Sequence, residues 1–124
     1  MSQDAYLLLH LFGVFLAFTA LGGVTLHAMN GGDKRSNATR KRVALSFSVG
    51  LVLVLIGGFG QLARLGSYSP ATWEGWVYAK FGIWLLIGAL YSVPYRKPKL
   101  LKLIWFGGPT LGVAAGWLAL YTPF

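Results

Sequence analysis

The chain is built from four apolar runs, each about long enough to cross a lipid bilayer. They cover residues 6–29, 43–65, 76–93 and 100–121, and a helix needs roughly twenty residues to cross the hydrocarbon layer. Of the 124 residues, 56% are hydrophobic and only three are acidic. A soluble domain this small has too little interior to bury so much apolar surface. Helices satisfy their own backbone hydrogen bonds in lipid, so the sequence predicts an all-α integral membrane protein.

Short connections make neighbouring helices antiparallel, so we expect an up-down-up-down four-helix bundle. The four spans leave no room for a separate soluble domain, and residues 1–124 form a single transmembrane domain in this interpretation. No basic segment precedes the first run, and no convincing cleavage site ends it. We therefore interpret it as a retained span rather than a signal peptide.

Basic residues are concentrated in two of the loops. The first loop holds Lys34, Arg35, Arg40, Lys41 and Arg42, and the third holds Arg96, Lys97, Lys99 and Lys102. Lys and Arg gather on the cytoplasmic side of short loops, which predicts a bacterial inner-membrane protein with both termini in the periplasm. The net charge of +8 then indicates contact with anionic lipid headgroups rather than with nucleic acid. The absence of cysteine excludes disulfides and thiolate metal sites.

Polar residues inside a membrane span are costly and therefore candidates for function. Four of them fall near the periplasmic ends of the first three spans, at matching depth: His10, Gln61, Arg64 and Lys80. No carboxylate lies within the spans, so these cations favour an anionic ligand. Imidazole is a usual axial ligand of haem iron, and propionates pair with Arg or Lys. The four residues are thus predicted to bind haem b, with His10 as the metal ligand.

Each of these residues also has a structural interpretation. Arg64 and Lys80 could extend to the headgroups, Lys80 could pair with Glu74, and His10 could be hydrogen-bonded to a neighbouring helix. His27, at the other end of the first span, is expected at the membrane interface. A second haem there would have no further ligand to support it.

A resemblance to known proteins adds to this hypothesis. His10-Leu-Phe-Gly-Val-Phe-Leu-Ala-Phe, the later His27-Ala28, and Gly75-Trp-Val-Tyr-Ala-Lys80 before an apolar helix resemble the HemJ, SirB and CopD-related small bacterial membrane proteins. The resemblance covers the first three spans. HemJ-type members bind b-type haem and oxidise protoporphyrinogen IX, with an early histidine, an arginine and a lysine in their motif. It therefore implies a porphyrin-related, redox-active role, with His10, Arg64 and Lys80 at the matching positions.

A second hypothesis is a non-catalytic accessory subunit of a larger membrane complex. Gly108, Gly112 and Gly116 lie four residues apart, and such a stripe lets another helix approach closely. The stripe could pack within the monomer, form a homodimer or hold a partner subunit. A small multidrug-type exporter is disfavoured, because the first span lacks the carboxylate that would carry protons. A hydrolase is disfavoured because His10 has no carboxylate in its span to orient it.

Overall fold

The computed structural model describes residues 2–64 and 73–121. Within these ranges the protein is all-α, as predicted, with four α-helices: α1 (Gln3–Met29), α2 (Arg40–Arg64), α3 (Gly75–Leu90) and α4 (Leu101–Tyr121). A 3-10 turn, Pro98–Leu100, leads into α4. Three segments, α1, α2 and Pro98–Tyr121, are long and apolar enough to cross a membrane. The predicted end of the second span, residue 65, lies outside the described residues.

Local sequence explains where α1 begins and ends. The Ser2 hydroxyl accepts a hydrogen bond from the backbone N–H of Ala5 at 3.1 Å, which satisfies one of the free donors of the first turn. At the other end, Asn30 follows the last helical residue and Gly31 adopts a φ of 85°. A side chain is strained at that φ, so glycine permits the turn that follows α1.

Helix α3 is the shortest of the four, with 16 residues against 21 in α4. It ends at Leu90, before the expected limit of 93, and a series of turns follows. Pro94 disfavours helical backbone at the residue before it and cannot donate a helical hydrogen bond. These constraints end α3 early.

Helices α1 and α2 pack backbone against backbone. A methyl group added at Gly13 would lie 2.6 Å from the carbonyl oxygen of Gly50, and one at Gly50 would lie 2.8 Å from the backbone nitrogen of Ala17. Both distances are far below van der Waals contact, so these positions accept no side chain. Helices that associate in lipid use small residues in this way.

Two glycines of the α4 stripe face α1 within the monomer. A methyl group at Gly108 would lie 3.4 Å from Leu21, and one at Gly112 would lie 3.1 Å from Phe18, whereas one at Gly116 would meet no atom of the described residues within 4 Å. The stripe therefore packs α4 on α1 along two of its three positions. A contact with a second chain through this stripe stays a prediction.

Candidate functional site

A cavity of about 260 Å³ opens at the end of the bundle that carries the N-terminus. We call it the His10 cavity. All four helices contribute to its wall, and His10, Gln61 and Lys80 line it together. The structure thus brings three of the four predicted site residues to one place.

The imidazole of His10 is fixed by the neighbouring helix. Its Nδ1 lies 2.9 Å from the carbonyl oxygen of Val54. A carbonyl only accepts, so Nδ1 carries the proton and donates it. In the neutral ring, Nε2 then holds a free lone pair. Histidines that bind metals commonly have their other ring nitrogen held in this manner.

Two adjacent glycines of α2 provide the space for His10. A methyl group at Gly57 would lie 2.5 Å from the backbone nitrogen of His10, whereas one at Gly58 would lie 3.6 Å from its Nδ1. The first distance is a collision and the second is ordinary contact. Gly57 therefore allows the approach of the two backbones, and Gly58 forms part of the cavity wall beside the ring.

Lys80 enters the cavity from α3 and is half-buried. Within residues 2–64 and 73–121 it has neither a hydrogen bond nor an acidic partner. The predicted alternative of an ion pair with Glu74 is not formed among the described residues, where Glu74 accepts a hydrogen bond from the indole of Trp76 at 2.9 Å. An ammonium group in such surroundings favours a ligand that brings its own negative charge.

Arg64 lies apart from the other three. It is the last residue of α2, its side chain is exposed, and it is not among the residues that line the cavity. An exposed guanidinium at a helix end can extend to headgroups, which is the structural interpretation given above. Gln61, one turn earlier, is half-buried and lines the cavity.

Aromatic side chains form much of the remaining wall, and the sequence argument assigned them no such role. They are Phe59, Trp73, Trp76, Phe81 and Trp84. Trp84 is held in place because its indole N–H donates to the carbonyl oxygen of Leu51 at 3.1 Å. The signal was present in the sequence: Trp76, Lys80 and Trp84 follow each other at intervals of four and therefore share one helix face.

For a metal ion, the site offers a single imidazole as a ligand, that of His10. Among the described residues there is no group of three or more His, Cys, Asp or Glu side chains that could hold a metal ion. A metal coordinated by side chains alone needs several such ligands. A metal that arrives within a macrocycle needs only an axial ligand, and His10 fits that requirement.

No family model, curated protein or solved structure matches this chain. The resemblance to the HemJ, SirB and CopD-related proteins therefore stays a prediction.

His27, the second histidine, belongs to a hydrogen-bonded network at the opposite end of the bundle. Its Nδ1 lies 2.7 Å from the Tyr95 hydroxyl, and its Nε2 lies 3.3 Å from Ser36 Oγ. The amide of Asn37 donates to the same tyrosine hydroxyl at 3.0 Å. A neutral ring protonated on Nε2 satisfies every group, since Tyr95 donates to Nδ1 and Nε2–H donates to Ser36. Both nitrogens are engaged, which leaves none free for a second haem.

Proposed function

We propose that the chain is a multi-pass protein of the bacterial inner membrane, with its four helices arranged up-down-up-down and both termini in the periplasm. Three long apolar helices support the placement in a membrane. So do large apolar side chains that stay exposed around the bundle, such as Phe15 at 69% and Leu120 at 82%. Water would disfavour such a surface, while lipid accommodates it.

We further propose that the His10 cavity binds a b-type haem or a related porphyrin. The observation that carries this proposal is the hydrogen bond between His10 and the Val54 carbonyl, which leaves Nε2 as a ligand at the cavity. Haem would supply one-electron redox chemistry there.

The other residues of the cavity have roles that follow from their chemistry. The ammonium group of Lys80 would hold a propionate through a charge-assisted hydrogen bond, and Gln61 can donate a second one. The tryptophan and phenylalanine rings offer flat apolar surfaces and exclude water. Pockets for drug-sized ligands measure roughly 300–1,000 Å³, so a cavity of about 260 Å³ would hold one side of the macrocycle and leave the rest at its open mouth.

The two histidines provide a matched test of this proposal. The protein is expressed with added haem and purified in mild detergent, and its visible spectrum is recorded. We expect a Soret band that His10→Ala abolishes or weakens at least tenfold, because the iron loses its ligand. His27→Ala should keep the band, since that side chain lies at the other end of the bundle. A colourless wild-type protein, or equal loss in both variants, would reject haem binding.

A quinol is the second candidate ligand, and the size of the cavity favours it. A single six-membered ring fits within about 260 Å³ with its lipid tail in the bilayer. Its hydroxyl could donate to His10 Nε2, and Lys80 could donate to the oxygen across the ring. Organic extraction of the purified protein distinguishes the two candidates. One quinol or quinone molecule recovered per chain would indicate this ligand, provided that both His10→Ala and Lys80→Gln lose it.

A further inference from the structure

A groove runs along the inner half of α4, far from the His10 cavity. We call it the Lys102 groove. Leu90 of α3 and six residues of α4 line it: Lys102, Leu103, Phe106, Gly107, Thr110 and Leu111. Its volume is about 730 Å³. The groove exists because α3 ends at Leu90 and because Gly107 contributes no side chain. Among the described residues, a methyl group there would meet Leu103 alone, at 4.0 Å.

The groove faces away from the core of the bundle. Leu103 is 65% exposed and Phe106 is 69% exposed. Thr110 adds no free polar group, because its hydroxyl donates to the carbonyl oxygen of Phe106 at 2.8 Å. The body of the groove is therefore apolar, and its one charged group, Lys102, lies at the end next to the basic loop.

The length of the groove matches one leaflet of a membrane. A helix rises about 1.5 Å per residue, so Lys102 and Leu111 are roughly 14 Å apart along α4. This is close to half of the ~30 Å hydrocarbon layer. A side chain at the basic end would meet headgroups, and the apolar body would meet acyl chains of the same leaflet.

From charge complementarity and length, we propose that the Lys102 groove binds one anionic phospholipid of the cytoplasmic leaflet. An acyl chain lies along Leu103, Phe106 and Gly107, and the ammonium group of Lys102 binds the headgroup phosphate. The proposal rests on the membrane orientation proposed above and is independent of any ligand in the His10 cavity. Lipid held in this way differs from the surrounding bilayer by its fixed stoichiometry and its headgroup preference.

Native mass spectrometry of the full chain tests the proposal. The protein is released from nanodiscs that contain equal amounts of phosphatidylglycerol and phosphatidylcholine. We expect one retained phosphatidylglycerol per wild-type chain. Lys102→Gln should reduce the preference for phosphatidylglycerol roughly fivefold, the effect of removing one basic group at the membrane surface. Lys99→Gln, in the adjoining basic segment but outside the groove, should keep most of the preference for phosphatidylglycerol.

A second pair of variants distinguishes the effect of filling the groove from the general effect of a larger side chain. Gly107→Leu fills the groove and should abolish retention, whereas Gly82→Leu adds the same side chain on α3, where a methyl group would meet no described atom within 4 Å. Circular dichroism verifies that all variants are helical. Absence of bound lipid in the wild type, equal loss in both leucine variants, or a dimer that Gly107→Leu disrupts would overturn the proposal. None of these results depends on haem.

Discussion

At Gly57, the absence of a side chain decides how closely α1 and α2 approach. The backbone of His10 lies where a methyl group would project, at 2.5 Å. The same approach brings the imidazole within 2.9 Å of the Val54 carbonyl. The position and tautomer of the His10 imidazole thus depend on Gly57, which is not among the residues that line the cavity.

Substitutions at the two adjacent glycines should therefore have opposite effects. Gly57→Ala should destabilise the protein by about 1–3 kcal/mol, the usual cost of overpacking, and weaken ligand binding at His10. Gly58→Ala should be neutral or stabilising, because its methyl group would make ordinary contact at 3.6 Å and alanine favours helix. Thermal unfolding in detergent measures both. Equal destabilisation would contradict this account of the packing.

The sequence indicated His10 and Lys80 because polar residues inside apolar runs are few. It could not indicate the hydrogen bond to Val54, since every residue of a helix offers the same carbonyl and only packing selects one. Arg64 shows the converse case. Its depth in the second apolar run grouped it with the other three residues, but its place at the last residue of α2 leaves it exposed.

At the scale of elements, the loop between α1 and α2 is organised by Asp33 and Ser36. The Asp33 carboxylate accepts the backbone N–H of Ser36 at 2.8 Å, and the Ser36 hydroxyl accepts the backbone N–H of Asp33 at 2.9 Å. The hydrogen bonds from Ser36 lower the pKa of Asp33 below its ordinary value. Ser36 in turn contacts His27, so this turn supports the network that reaches Tyr95.

This network should weaken in acid. Because the folded-state pKa of Asp33 is lowered, its contribution to stability is present above the unfolded-state pKa, about 3.9, and is lost as the pH falls through the lower folded value. The effect should be small, since the carboxylate is exposed. Melting temperatures from neutral pH to about pH 3 should fall more in the wild type than in Ser36→Ala. Parallel pH profiles would argue against the role of this turn.

The helices themselves were predictable because apolar runs of about twenty residues leave few alternatives. The early end of α3 was harder to predict, since Val93 is apolar and continues the run. The helix ends early for a local reason, because Pro94 disfavours helical backbone at Val93. The network around His27 could not be predicted from the sequence, because it joins residues 68 positions apart.

At the scale of the whole molecule, the orientation in the membrane can be tested directly. The chain contains no cysteine, so a single introduced thiol reports its own side of the membrane. In intact spheroplasts, a membrane-impermeant maleimide should label Ser2→Cys and leave Ala38→Cys unlabelled until the membrane is disrupted. Both positions are exposed in the structure. The reverse pattern would reject the periplasmic placement of the termini and of the His10 cavity.

The shortness of α3 has a consequence for the bilayer around it. Sixteen residues span about 24 Å, some 6 Å less than the average hydrocarbon layer. In the membrane placement proposed above, lipid beside α3 would thin, or the flanking turns would enter the hydrocarbon, each at a cost of a fraction of a kcal/mol per Å. In that placement the protein would match a membrane thinner than average on one flank, and bilayer thickness would become a determinant of its stability.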